Sequence, residues 1–229
     1  MATVSLIQDM VRRKLGVPDM DSTELQQFTE WGRYELESRG NYYYGIALKD
    51  HTLTASTQSY SLTSSSGTGL GITAYKEHRE LFIRDATGQT WLPVPIGSWD
   101  TTLPDHAHST TGKPQAATIE NETLYFFPSP DAAYNVRLTH FNWTVNPTDI
   151  TSTDELFTRW SQAIFYASMM VAKRFQTQNP QAGKEWEDMM EQQIERMKDF
   201  TNRRLSSSIN SMSTREAAMI LQASGGQPS

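Results

Sequence analysis

The strongest candidates for chemistry lie in one short stretch, "PDHAH", where Asp105, His106 and His108 are near neighbours. Carboxylate and imidazole can share a transition metal, and residues two apart project to the same side of an extended chain. A protein metal site needs three or four ligands. No further ligand stands out, so a polar loop is the favoured reading. His51, His78 and His140 are isolated from one another in sequence, and a lone histidine is more often solvated or hydrogen-bonded than a ligand. "SSSGTGLG" carries spaced glycines but no Gly-Lys-Ser/Thr ending and no helical pattern directly after it. That argues against a phosphate loop. Glu185, Glu187, Asp188, Glu191 and Glu195 recur along one helical stretch, and a solvated face accounts for them better than paired-carboxylate catalysis. The chain has no cysteine, which removes disulfides, thiolate catalysis and cysteine zinc sites. No nucleophile elbow occurs. The residues define no active site, no cofactor site and no metal site, and the expectation is a protein that is not an enzyme.

The elements that would position any site come next. The chain has 229 residues, 37% of them hydrophobic and 20% charged, with 6 Trp, 9 Tyr and 9 Phe. This is a globular composition with large aromatic anchors. A formal net charge of −6 argues against a broad duplex-DNA-binding surface, which needs clustered Lys and Arg. It is compatible with a wall that DNA slides past. No apolar run approaches the roughly 20 residues of a membrane helix. The opening "MATVSLIQDMVRRKLG" places its cations after its apolar residues, unlike a signal peptide, so synthesis in the cytosol is expected.

Residues 4 to 15 carry Val4, Ile7 and Val11 at helical spacing, with Leu6 and Met10 beside them. Gly16, Pro18 and Asp19 break this helix. "DSTE" then suggests a capping box from Asp21 and Glu24, followed by Leu25, Phe28 and Trp31, with Gly40 placed as a left-handed stop. "NYYYG" makes an aromatic knot at the exit. From 51 to about 145, Thr, Ser, Gly and aromatics dominate. "SLTSSSGTGLG" reads as a flexible loop. "ELFIRDATGQTWLPV" reads as a hairpin with Thr87-Gly88 near its tip, and "ATIENETLYFF" turns at Glu120-Asn121-Glu122. In "TLYFFPSPDAAYNVRLTHF", Leu124 and Phe126 alternate with Tyr125 and Phe127, and Tyr134, Val136, Leu138 and His140 share a face beyond a proline-bounded corner. An antiparallel sheet or small sandwich is expected.

Helical periodicity returns with Phe157, Trp160, Ile164, Ser168, Val171 and Phe175, and a second apolar face of Ala163, Ala167 and Met170. One helix over 154–176, buried on two sides, follows. The second face is expected to pack within the subunit rather than against a neighbour. Trp186, Met190, Ile194, Met197 and Phe200 repeat at near-heptad spacing, so two antiparallel helices form a hairpin. The fold class is α+β: N-terminal helices (1–50) and a C-terminal helical hairpin (146–205) make a hub around an inserted antiparallel β region (51–145). A flexible arm occupies 206–229. The hub core is expected from Phe157, Trp160, Ile164, Val171, Phe175, Trp186, Met190, Ile194 and Met197. Within the polar arm, Met212, Ala217, Ala218, Met219, Ile220 and Leu221 form an apolar patch.

This order of elements resembles the head-to-tail adaptor, or connector, proteins of tailed bacteriophages, and the related tail tubular protein A of short-tailed phages. The resemblance is carried by Leu124, Tyr125, Phe127, Pro128, Pro130, Asp131 and Tyr134, followed by "DELFTRWSQAIFYASMMVAKRF". It implies a dodecameric ring under the portal that connects head to tail or nozzle proteins and lines the exit channel for genomic DNA. It implies residence in the virion at the head–tail junction after synthesis in the host cytoplasm. It also implies that the apolar patch of the arm docks on portal, and the β region is expected to face tail components. Two alternatives stand beside it. One is a tail-completion or baseplate protein; the other is a glycan-binding β module using Trp91, Trp99 and Trp143.

Overall fold

Apolar residues at a period of 3.6 build the first element, α1 (Val4–Leu15), which buries Val4, Ile7 and Val11 on one face. In the computed structural model the described residues are 4–88, 90–98, 111–144 and 155–223, with side chains described no further than residue 206. The fold is α+β. The chain divides into two units: residues 1–44 with 146–229, and residues 45–145. The β unit therefore opens a few residues before the expected 51, because Gly45 already leads into the first strand.

The helical unit continues with α2 (Ser22–Ser38), α3 (Glu155–Arg159), α4 (Ser161–Thr177) and α5 (Lys184–Ala223). The capping box of α2 does not form, since Asp21 makes no side-chain cap bond and instead accepts a hydrogen bond from Ser22 Oγ at 3.3 Å. Nor does Gly40 adopt the left-handed conformation. The helix ends on Arg39 in the right-handed region, and the Leu36 carbonyl is taken by the Tyr42 hydroxyl at 3.2 Å, so no left-handed cap is required. The expected single helix over 154–176 is two. Trp160 leaves helical geometry (φ −109°, ψ 25°), which separates α3 from α4.

Helix α4 is the centre of this unit, packing against α1, α2, α3 and α5. Ala163, Ile164, Ala167, Ser168, Met169, Met170 and Ala172 are all fully buried, so nearly its whole circumference is covered. The tightest contact is its crossing with α2. A Cβ built on Gly32 would lie 2.5 Å from the backbone N of Ser168 and 2.8 Å from its Cα. Beyond Gly32, α2's inner face holds a buried ion pair. Arg33 Nη1 donates to Glu37 Oε2 at 3.0 Å, with both side chains almost wholly removed from solvent. Removing one member of such a pair costs about 3–5 kcal/mol, because it strands the other charge.

The β unit holds two four-stranded sheets with one shared core. One sheet runs in the order β1 (Ile46–Thr52), β10 (Tyr134–Asn142), β3 (Tyr75–Asp85), β4 (Leu92–Pro93). The other runs β2 (Ser59–Ser61), β8 (Thr123–Phe127), β7 (Ala116–Glu120), β5 (Ile96–Gly97). A small parallel pair, β6 (Thr111–Gly112) and β9 (Ser129–Pro130), completes it. β5 also pairs parallel to β7, so the unit is mixed where antiparallel pairing alone was expected. Leu124 and Phe126 from one sheet meet Leu81, Val136 and Leu138 from the other in the common core.

Strands β8 and β10, separated in sequence only by the two-residue β9, therefore belong to different sheets. The Pro128-Ser129-Pro130-Asp131 corner carries the chain between them, held by Tyr134, whose hydroxyl donates to Asp131 at 2.7 Å. That carboxylate pushes the phenol up to about 12. Alternation along β10 holds to Leu138 and then fails, because the register shifts at Thr139/His140 and buries Thr139, His140 and Phe141 in succession. The glycine-rich 61–71 segment is tightly bonded rather than loose. Leu70 N–H donates to Ser61 O and Gly71 N–H to Ser64 O, each at 2.7 Å, and Leu62 and Leu70 are core residues. A Cβ on Gly69 would fall 2.0 Å from the Ser64 carbonyl oxygen.

Two stability changes follow. Gly32→Ala is expected to destabilise by about 1–3 kcal/mol through overpacking, although alanine is the better helix former by roughly 1 kcal/mol. Adding Ser168→Ala should not rescue it in urea titrations, since the nearest obstruction is backbone. In the opposite direction, the β7–β8 turn places Asn121 and Glu122 at φ 47° and 57°, the geometry of a two-residue type I′ hairpin. Glu122→Gly keeps the carbonyl that accepts from Leu62 N–H and relieves left-handed strain. A gain of about 0.5–1 kcal/mol is expected after glycine's entropic cost, measurable by calorimetry.

Candidate functional site

Among the described residues no group of three or more His, Cys, Asp or Glu side chains could hold a metal ion. Asp105, His106 and His108 lie outside the described residues. Among the described residues no helix is long and apolar enough to cross a membrane. An open groove of about 500 Å³ runs beside β3, lined by His78, Arg79, Glu80 and Phe82 with Pro93 to Ile96. Its only carboxylate, Glu80, sits 3.6 Å from Arg79, and no nucleophile stands with a base there. His51 and His140 are held below the ordinary histidine value, in both cases chiefly by burial, and His140 is a core residue beside Tyr75. The arrangement suits packing rather than proton transfer.

The glycan reading needs open aromatic faces. Arg84 and Arg137 each stand 4.6 Å from the centre of the Trp91 ring, and Lys76 stands 4.7 Å from that of Trp143. Arg137 is itself fixed by a bidentate pair with Asp50, both bonds 2.7 Å, which lowers the Asp50 carboxyl. Both rings are thus engaged by cations. Trp99 lies outside the described residues.

What the helical unit offers is surface and rigidity. Of the expected core, Phe157, Ile164, Trp186, Met190, Ile194 and Met197 are buried, and Trp160 and Val171 pack against them half-buried. Phe175 is a correction: it is 57% exposed. Ala163, Ala167 and Met170 face inward together with Ile164 and Ser168, while Phe175, two residues before α4 ends at Thr177, lies at the rim. There it joins Phe28 and Trp31 in a cluster with ring centres 5.6 to 6.1 Å apart. A second cluster marks the far end of the α4–α5 hairpin. Phe200 stacks edge-on with Tyr43 and Trp160, under the guanidinium groups of Arg159 and Arg204.

Helix α5 has 40 residues against 17 in α4. It runs about 33 Å beyond Thr201, its last buried residue in the described set. The backbone through most of the expected arm is therefore helical. The side chains of Met212, Ala217, Ala218, Met219, Ile220 and Leu221 lie outside the described residues.

The acids of α5 are more than a solvated face. Arg39, the C-cap of α2, donates to Glu187 at 3.1 Å and to Glu35 at 2.6 Å, and also pairs with Glu191. Arg174 of α4 donates to Glu187 at 2.9 Å, and Lys184 donates to the same carboxylate at 3.2 Å. Three helices are clamped through one carboxylate. No sequence signal identifies this knot, because Arg39 and Glu187 are 148 positions apart.

The sequence matches the family described as SU10 adaptor protein over residues 2–215. Comparison with curated proteins returns no match.

The clamp sets an acid response. The Arg39 hydrogen bond holds the Glu187 carboxyl below its ordinary 4.5. A carboxyl depressed on folding adds stability that is whole above 4.5 and lost as pH falls through the lower folded value. Glu187→Gln should cost about 1 kcal/mol at neutral pH and flatten the decline in stability below pH 4.5, as read from melting temperatures across pH 3 to 7.

Proposed function

The chain belongs to the SU10 adaptor protein family, and from that premise we propose that it closes into a ring beneath the portal of a tailed phage. In this reading the ring is dodecameric, joins the head to tail or nozzle proteins, and leaves a channel through which genomic DNA passes without sequence-specific contact. The protein acts in the virion at the head–tail junction after synthesis in the host cytoplasm, with no cofactor and no membrane contact. One observation carries the proposal: the match spans both the helical unit and the β unit. Physical chemistry adds support. A net charge of −6 suits a wall that must not hold phosphates. A helix that outruns its partner suits an arm that docks elsewhere. Met212, Ala217, Ala218, Met219, Ile220 and Leu221 would meet portal, and the β unit would meet tail components.

Native mass spectrometry of the chain alone and mixed with its phage's portal protein tests this. The expected result is incorporation on the portal ring in equal copy number, abolished by deleting 206–229. A self-contained oligomer that ignores portal would instead assign the chain to the tail side, as a completion or baseplate protein.

A further inference from the structure

Two exposed helix faces of the same unit are opposite in charge and alike in being apolar. On α1, Leu6, Met10 and Arg13 follow at spacings of four and three, on the side away from Val4, Ile7 and Val11. Leu6 is 46% exposed and Met10 41%, with Val17 exposed just past the helix end. This helix carries three cations and one acid, and the acid, Asp9, is bound to Arg12 at 3.2 Å. On α2, Glu24, Gln27, Trp31, Tyr34 and Ser38 share the outward stripe, with Trp31 and Tyr34 both exposed. Phe175 extends that stripe from α4. This helix carries four acids and one cation, and the cation, Arg33, is buried inside with Glu37.

We propose that the α1 face of one copy packs on the α2–Phe175 face of the next. Met10 would sit against Trp31 and Phe175, and Arg13 would be directed to Glu24. Because the two faces differ, the contact is heterologous: each copy offers one of each, and repetition closes a ring when the rotation permits. Aromatic anchors backed by a rigid core, with charge at the rim, are the usual anatomy of such contacts. A partner carrying only apolar surface would leave the charge asymmetry unused; a second copy uses both halves. The proposal rests on the ring reading above and adds which surfaces close it.

The absence of cysteine makes a direct test available. The full-length chain is prepared as Met10→Cys, as Trp31→Cys and as both together. Each is oxidised at high concentration and again on the portal ring, and native mass spectrometry follows assembly. Expected are no cross-link in either single variant alone, a dimer when the two are mixed, and a ladder beyond dimer in the double variant. Like-with-like dimers from the single variants would overturn the proposal, because the faces would then meet themselves. An assembled ring without cross-links would overturn it while leaving the adaptor reading intact. Failure of the unsubstituted chain to assemble alone or on portal would remove both. As a check on charge, Arg13→Glu should weaken assembly, and Glu24→Arg in the same chain should restore it. No recovery would count against the pairing.

Discussion

The approach of α2 to α4 at Gly32 and Ser168 governs the helical unit. Two backbones brought this close leave no room for a side chain between them, so one helix must present glycine and the other small residues around the crossing. Ala163, Ala167 and Ala172 extend the small surface along α4. Once the helices touch here, their remaining positions are determined. Phe28 lies one turn above Gly32 and meets Phe175, while Leu36 lies one turn below in the core. Arg33 falls inside with no route to solvent and requires Glu37, one turn on, as its counter-charge. Helix α5 then takes the opposite side of α4 with Trp186, Met190, Ile194 and Met197. Its alignment is held at the rim by the carboxylate of Glu187, between Arg39 and Arg174.

In the β unit the equivalent constraint is the chain's passage from one sheet to the other. A hairpin returns a strand beside its predecessor. A corner with two prolines, which donate no backbone hydrogen bond, lets β10 leave the sheet of β8 and pair instead between β1 and β3. The inner faces of both sheets then share one core, and Tyr134 holds the corner through Asp131. The PSPD stretch is thus the seam of a sandwich.

Periodicity made local elements legible: Val4, Ile7 and Val11 predict α1, and Glu120-Asn121-Glu122 predicts a turn. Trp186 to Met197 predict the buried face of α5. What it could not expose depended on partners distant in sequence. Arg33 and Glu37 look like surface charges at helical spacing, and only the Gly32 crossing puts them inside. Glu187 and Glu191 look like a solvated stripe until α2 arrives with Arg39. The Trp160 break is invisible to a stripe count, because Phe157, Trp160 and Ile164 keep helical spacing across it. Phe175 belongs at the rim because it stands in the last turn of α4, where the core has ended. Alternation in β10 likewise fails at Thr139, buried out of turn beside a register shift. For function, the order of elements was informative where single residues were not, since it runs along both units that the family match covers.

Exposure of Trp31 and Phe175 has its own physical logic. A large aromatic side chain removed from water is worth about 1.5–3 kcal/mol, so leaving two of them at the rim forgoes stability in the isolated subunit. Both are nonetheless held: Phe28, fully buried beneath them, meets each ring edge-on. Their rotamer freedom is already restricted before any partner arrives, and a contact made there loses less entropy than one made by mobile side chains. The crossing at Gly32 produces this state, because it draws α2 and α4 near enough for Phe28 to back both residues at once. The same close approach that organises the interior therefore also fixes two large aromatic rings at the rim.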